Sequence, residues 1–80
     1  MHVYNTMTLS EFEKLSKGDL IRDKSIGLIG VIIDPGILMQ SAWTNNLFPT
    51  ERYHVHIWYS ESNEHWTGNL FFSKNNLQVI

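Results

Sequence analysis

Cysteine is absent from this 80-residue chain. Disulfides, thiolate metal sites and cysteine nucleophiles are therefore excluded, and the domain must be held together by packing alone, which suits a reducing, cytoplasmic setting. A basic excess is missing too: six Lys and Arg stand against eight Asp and Glu, for a net charge of −2. Proteins that live on nucleic-acid phosphates draw affinity from displaced counterions and usually carry more positive charge than this. Long apolar runs are also lacking. The longest, Ile26 to Ile33, has eight residues and includes Gly27 and Gly30, far short of the roughly 20 that span a bilayer. Met1 to Asn5 lacks the basic-then-apolar layout of a secretory signal. The expectation is a soluble intracellular protein with no membrane association.

Motifs that carry chemistry are equally sparse. There is no HExxH, no GxGxxG and no Walker-type lysine, so neither a zinc hydrolase nor a phosphate-binding loop is indicated. Ser10, Ser60 and Ser62 fall in capping or turn contexts, where hydroxyls serve the backbone. Glu61 and Glu64 lie near His65 at a polar hairpin tip, which offers no desolvation to tune a general acid or base. Asp19, Arg22 and Asp23 read as solvated surface pairs. No enzyme, no cofactor and no metal are expected.

What is present is a folding pattern. Hydrophobic residues make up 42% of the chain, three tryptophans among them, which argues for one folded domain with a thin core. Thr8 and Glu11 have capping-box spacing, Met7 and Phe12 can form a hydrophobic staple, and Gly18 supplies a stop. These features predict a helix over about 9–17, with Leu9, Phe12 and Leu15 on its buried side. The period then changes. Leu20-Ile21-Arg22 reads as a strand, Lys24-Ser25 as a turn, and Ile26 to Ile33 as a strand apolar on both faces. Gly27 and Gly30 would let that strand bend, and Asp34-Pro35-Gly36 closes it as a turn. Residues 37–52, with Trp43 at their centre, either fold over the core or offer apolar side chains to a partner. Tyr53, Val55, Ile57 and Tyr59 alternate with His54, His56 and Trp58. Ser60 to Glu64 forms a polar loop, His65 to Phe72 returns as a strand, and Leu77 to Ile80 ends the chain as a short one. The prediction is an all-β domain: a small five-stranded barrel over about 19–80 with a short N-terminal helix.

The stretch Gly18-Asp19-Leu20-Ile21-Arg22, followed by Gly27 and Gly30-Val31-Ile32, resembles the SH3-like barrels, and among them the KOW-type pattern of some ribosomal proteins and transcription elongation factors. The downstream part, from Tyr53-His54-Val55-His56-Ile57-Trp58 through His65-Trp66 to Leu77-Gln78-Val79-Ile80, is similar to short SH3-like proteins of tailed bacteriophages. The resemblance implies an SH3-like barrel, a phage source, and a place in the host cytoplasm or the virion. It departs from the nucleic-acid-binding members in that Asp23 and Lys24 cancel where a basic loop belongs.

Two sets of candidate residues follow. If Tyr59 faces His65 across the hairpin, Trp58 lies opposite Trp66 on the face shared with His54 and His56. That arrangement makes an aromatic platform for a protein partner, host or virion, with help from Trp43. His65 then falls on the other face, which separates it from the other two histidines and argues against a three-histidine metal site. The alternative is a KOW-like nucleic-acid binder in which the aromatics stack bases and Arg22, Lys24, Arg52 and Lys74 touch phosphates. Self-association through an open edge at Leu77 to Ile80 is a further expectation.

Overall fold

The structure is a computed structural model that describes residues 7–39, 51–71 and 77–80. The described residues are mostly β with one short helix, and their strands form an antiparallel sheet curled into a half-barrel. The elements are α1 (Leu9–Glu13), β1 (Leu20–Asp23), β2 (Leu28–Asp34), β3 (Ile37–Met39), β4 (Glu51–Tyr59), β5 (Glu64–Phe71) and β6 (Leu77–Val79). Trp43 and Lys74 lie outside the described residues.

The helix begins where the sequence places it. The Thr8 hydroxyl accepts from the Glu11 amide at 3.1 Å, and the Glu11 carboxylate accepts from the Thr8 amide at 2.9 Å. Two N-terminal donors that a helix leaves unsatisfied are thereby paired. Met7, Phe12 and Leu15 are buried in the core. The helix ends at Glu13, well before residue 17, because other groups capture its last carbonyls. Arg52 donates to the carbonyls of Phe12 and Glu13, and the Ser16 hydroxyl donates to that of Lys14. With these acceptors occupied, the chain turns away toward β1.

The sheet is a meander with one return. β1 pairs with β2, β2 with β4, β4 with β5, and β6 comes back to pair with β1, all antiparallel. The β1–β2 turn spans Lys24 to Gly27, so Gly27 and the exposed Ile26 belong to the turn and not to a bent strand. Gly30 is where backbone approach matters: a Cβ there would sit 2.6 Å from the Ile57 side chain and 3.0 Å from the Tyr59 ring.

Asp34-Pro35-Gly36 bends the chain without reversing it. β5 occupies one edge of β4 along its length, while β2 and β3 lie end to end on the other, with Asp34 pairing His56 and Ile37 pairing Tyr53. Counting these two halves as one bent strand recovers the five strands expected from the sequence. Gly36 makes the bend, with φ +72° and a Cβ position only 2.0 Å from the Tyr53 carbonyl oxygen. Directly across, β4 bulges: Tyr53 and His54 fill the space between the pairs Arg52–Leu70 and Val55–Gly68, where β5 has only Asn69. His54 takes φ +63° to do so, a left-handed conformation that histidine tolerates better than most residues. The extra residue puts Arg52, and not Tyr53, on the inner face with Val55, Ile57 and Tyr59.

The core lines the inside of the curl: Phe12, Ile21, Ile32, Val55, Ile57 and Leu70 are almost completely buried. Burying each such side chain contributes about 1.5–3 kcal/mol, so a domain this small depends on few residues.

Candidate functional site

The outer face of the sheet carries the clearest side-chain constellation. The pairs Leu20–Val31, Val31–Trp58 and Trp58–His65 set four residues in one row across β1, β2, β4 and β5. Leu20 is 45% exposed, Val31 and Trp58 are half-buried, and His65 is exposed. Ile80, whose amide donates to the Leu20 carbonyl at 3.0 Å, extends this apolar band at one end.

At the other end three rings form a connected group. His56 Nε2 and His65 Nδ1 share a hydrogen bond of 2.7 Å, with ring centroids 4.9 Å apart. The Trp58 indole lies nearly parallel to the His65 ring at 6.4 Å, and its Nε1 donates to Asn63 Oδ1 at 3.3 Å. One imidazole donates and the other accepts. The hairpin turn and the histidine pair together hold the indole in place.

This grouping differs from the expected one by a single residue of register. The β4–β5 loop has four residues, Ser60 to Asn63, so Tyr59 pairs with Glu64 and Trp58 with His65. A one-residue shift moves every β5 side chain to the opposite face. His65 therefore joins His56 and Trp58, whereas Trp66 pairs with Ile57 and packs on the inner face against the core. Trp58 and Trp66 do not share a platform. His54 stands at the bulge, exposed and outside the regular alternation. Among the described residues no three His, Cys, Asp or Glu side chains are grouped to hold a metal ion.

Arg52 is not available to phosphates. It is 5% exposed, and its guanidinium donates to the carbonyls of Phe12 (2.8 Å), Glu13 (2.8 Å) and Pro35 (3.1 Å) while sitting 5.8 Å from the centre of the Phe12 ring. Burial pushes its pKa below the ordinary arginine value. Of the cations considered for nucleic acid, Arg22 and Lys24 are exposed near the β1–β2 turn.

A second feature escaped the sequence reading. On the inner side, an open cleft of about 470 Å³ lies between the β1–β2 turn, the start of the β4–β5 hairpin and Leu77. Asp23 lines it and is 6% exposed, so it is not a solvated surface residue. Its Oδ2 accepts from the Tyr59 hydroxyl at 2.8 Å, and its Oδ1 accepts from the Ser25 hydroxyl at 2.5 Å and the Ser25 amide at 3.1 Å. Burial, then the hydrogen bond and negative charge of Asp23, raise the Tyr59 pKa well above the ordinary phenol value, keeping it a donor. Trp66, Ile57 and Leu70 form the apolar wall and Glu64 stands on the rim. The alternation offered a signal: Asp23 is two residues from Ile21, and i and i+2 share a face of a strand.

No family model, curated protein or solved structure matches this chain.

Proposed function

We propose that this protein is a non-enzymatic binding or assembly module that docks a protein partner on the outer face of its sheet. The row Leu20–Val31–Trp58–His65 carries the reading. It sets a fixed aromatic ring amid aliphatic side chains on a face that the core of the described residues does not use. Tryptophan concentrates binding energy at such positions because it buries much area at little entropic cost. Surrounding aliphatics exclude water from the contact. The net charge of −2 and the burial of Arg52 favour a protein partner over nucleic acid. The resemblance to short SH3-like phage proteins suggests a setting, either virion building or modulation of a host protein.

The test separates the two faces. Tagged wild type, Trp58→Ala and Trp66→Phe, each checked for folding by circular dichroism, are used to capture partners from lysate with and without nuclease. The expected result is a protein retained by wild type and Trp66→Phe, insensitive to nuclease, and lost with Trp58→Ala. Retention that vanishes with nuclease would move the chain to the nucleic-acid class, and retention indifferent to Trp58 would remove the outer face from consideration.

A further inference from the structure

We propose that the inner cleft binds a primary alkylammonium group, such as that of a lysine side chain or a small amine, with the ammonium at Asp23 and the stem on the apolar wall. The cleft meets the docking row at His65, which borders both; the row is tested at Trp58, which does not line the cleft, so either reading can fail without the other.

Charge is the first argument. Among the described residues, Asp23 is a buried carboxylate held by neutral donors, the Tyr59 and Ser25 hydroxyls and the Ser25 amide. Buried charges are ordinarily paired, since desolvation without a counter-charge is expensive. No lysine or arginine lines the cleft among the described residues; Glu64 on the rim adds a second carboxylate, and the His65 imidazole borders the space beside it. An entering cation relieves an unfavourable field, whereas an anion meets one.

Shape and chemistry narrow the class. A cleft of about 470 Å³ falls within the range of ligand sites, roughly 300–1,000 Å³. Ile57, Leu70 and Leu77 give it an apolar lining along which an alkyl stem is desolvated. The Trp66 indole, which lies over Gly68 where a Cβ would come within 3.0 Å of the ring, borders the same space and adds apolar area to the wall.

Acceptor counting then separates ammonium from guanidinium. A carboxylate has about four acceptor sites. Two on Oδ1 serve Ser25 and one on Oδ2 serves Tyr59, which leaves a single site on Oδ2. The planar fork of a guanidinium seeks both oxygens at once, whereas a point-like ammonium needs only one.

The probes are n-butylammonium chloride, n-propylguanidinium chloride, 1-butanol and the peptide acetyl-Gly-Lys-Gly-amide, titrated into the isotope-labelled full chain at constant ionic strength. Amide and indole N–H shifts are the readout. n-Butylammonium is expected to give saturable shifts at Asp23, Ser25, Glu64 and the Trp66 indole, with a dissociation constant on the order of 1–10 mM, as befits so small a ligand. Glu64→Gln, an exposed change that keeps the fold, should weaken it about two- to five-fold through loss of one partly screened charge. 1-Butanol should produce no saturable shift there, and propylguanidinium should bind more weakly. Peptide binding at the same residues would assign a lysine side chain as the natural ligand, and binding of the free amine alone would assign a small amine. Three results each overturn the proposal: no saturable shift with n-butylammonium, butanol binding as tightly as the amine, or propylguanidinium binding more tightly.

Discussion

Arg52 joins three parts of the molecule: the helix, the bend and its own strand. Its guanidinium is hydrogen-bonded to the last carbonyls of α1 and to Pro35 at the bend between β2 and β3, while its backbone lies in β4. Arg52→Met keeps an apolar stem of similar length and removes the charge and all three donations. Hydrogen bonds to a charged group contribute about 1.5–3 kcal/mol each, but the three cannot be summed. The contacts to Glu13 and Pro35 are only partly buried, and water can replace the donor there. The Phe12 carbonyl is buried, and leaving it unpaired costs about 1–3 kcal/mol. The guanidinium's own desolvation, evident in its lowered pKa, is relieved in the variant and offsets part of the loss. The net expectation is a destabilisation of about 2–4 kcal/mol, against a total of roughly 4–12 kcal/mol for 80 residues.

The assay is urea unfolding followed by far-UV circular dichroism and tryptophan fluorescence, with coincident transitions as the check on two-state behaviour. In a thermal scan the same loss corresponds to a fall of about 8–32 °C, at roughly 4–8 °C per kcal/mol for a domain this size. Arg52→Lys retains the charge but lacks the fork, and should fall between wild type and Arg52→Met. Amide exchange gives an independent reading: the Phe12 and Lys14 amides, which bond to Thr8 and Ser10, should lose protection before those of β4. An Arg52→Met variant within about 0.5 kcal/mol of wild type, a typical surface effect, would refute the assignment of Arg52 as the clamp between helix and bend.

Two further outcomes follow from the inner face. Tyr59→Phe removes the 2.8 Å donation to Asp23 and should destabilise by about 1–2 kcal/mol in urea unfolding. Because the folded Tyr59 pKa is raised above its ordinary value of 10.0, the unfolded chain releases this proton first as pH rises. Its contribution to stability is complete below about pH 10 and declines above it, by up to about 1.4 kcal/mol per pH unit. That part of the alkaline slope should vanish in Tyr59→Phe, and an unchanged slope would contradict the burial of the hydroxyl. At the bend, Gly36→Ala combines φ +72° with a clash at the Tyr53 carbonyl and should cost about 3 kcal/mol or prevent folding. Gly27→Ala, at φ +73° with open space around it, should cost only about 1–2 kcal/mol. Equal losses in the two variants would mean that the bend relaxes.

Local grammar was legible in the amino acids alone. The Thr8–Glu11 capping box, the Lys24-Ser25 turn and the alternation from Val55 to Tyr59 depend on residues within a few positions of one another, and the structure contains each of them. An all-β domain with a short helix followed from the same short-range signals. What tertiary structure decided is pairing. One residue fewer in the β4–β5 loop carries His65 to the outer face and Trp66 to the inner one, since side chains alternate with period two and the loop's polar residues do not reveal where pairing resumes. Asp34-Pro35-Gly36 has the composition of a reversal, yet the β4 edge continues past it and turns it into a bend. Arg52 and Asp23, charged and adjacent to other charges in sequence, read as surface residues. Their burial depends on acceptors and donors 39 or 40 and 36 positions away, on Glu13, Phe12 and Tyr59. By itself the sequence determined where the helix begins and most of the strand segments, though not β3 at Ile37–Met39; only the folded sheet decided which side chains face each other, because that depends on register and on partners distant in the chain.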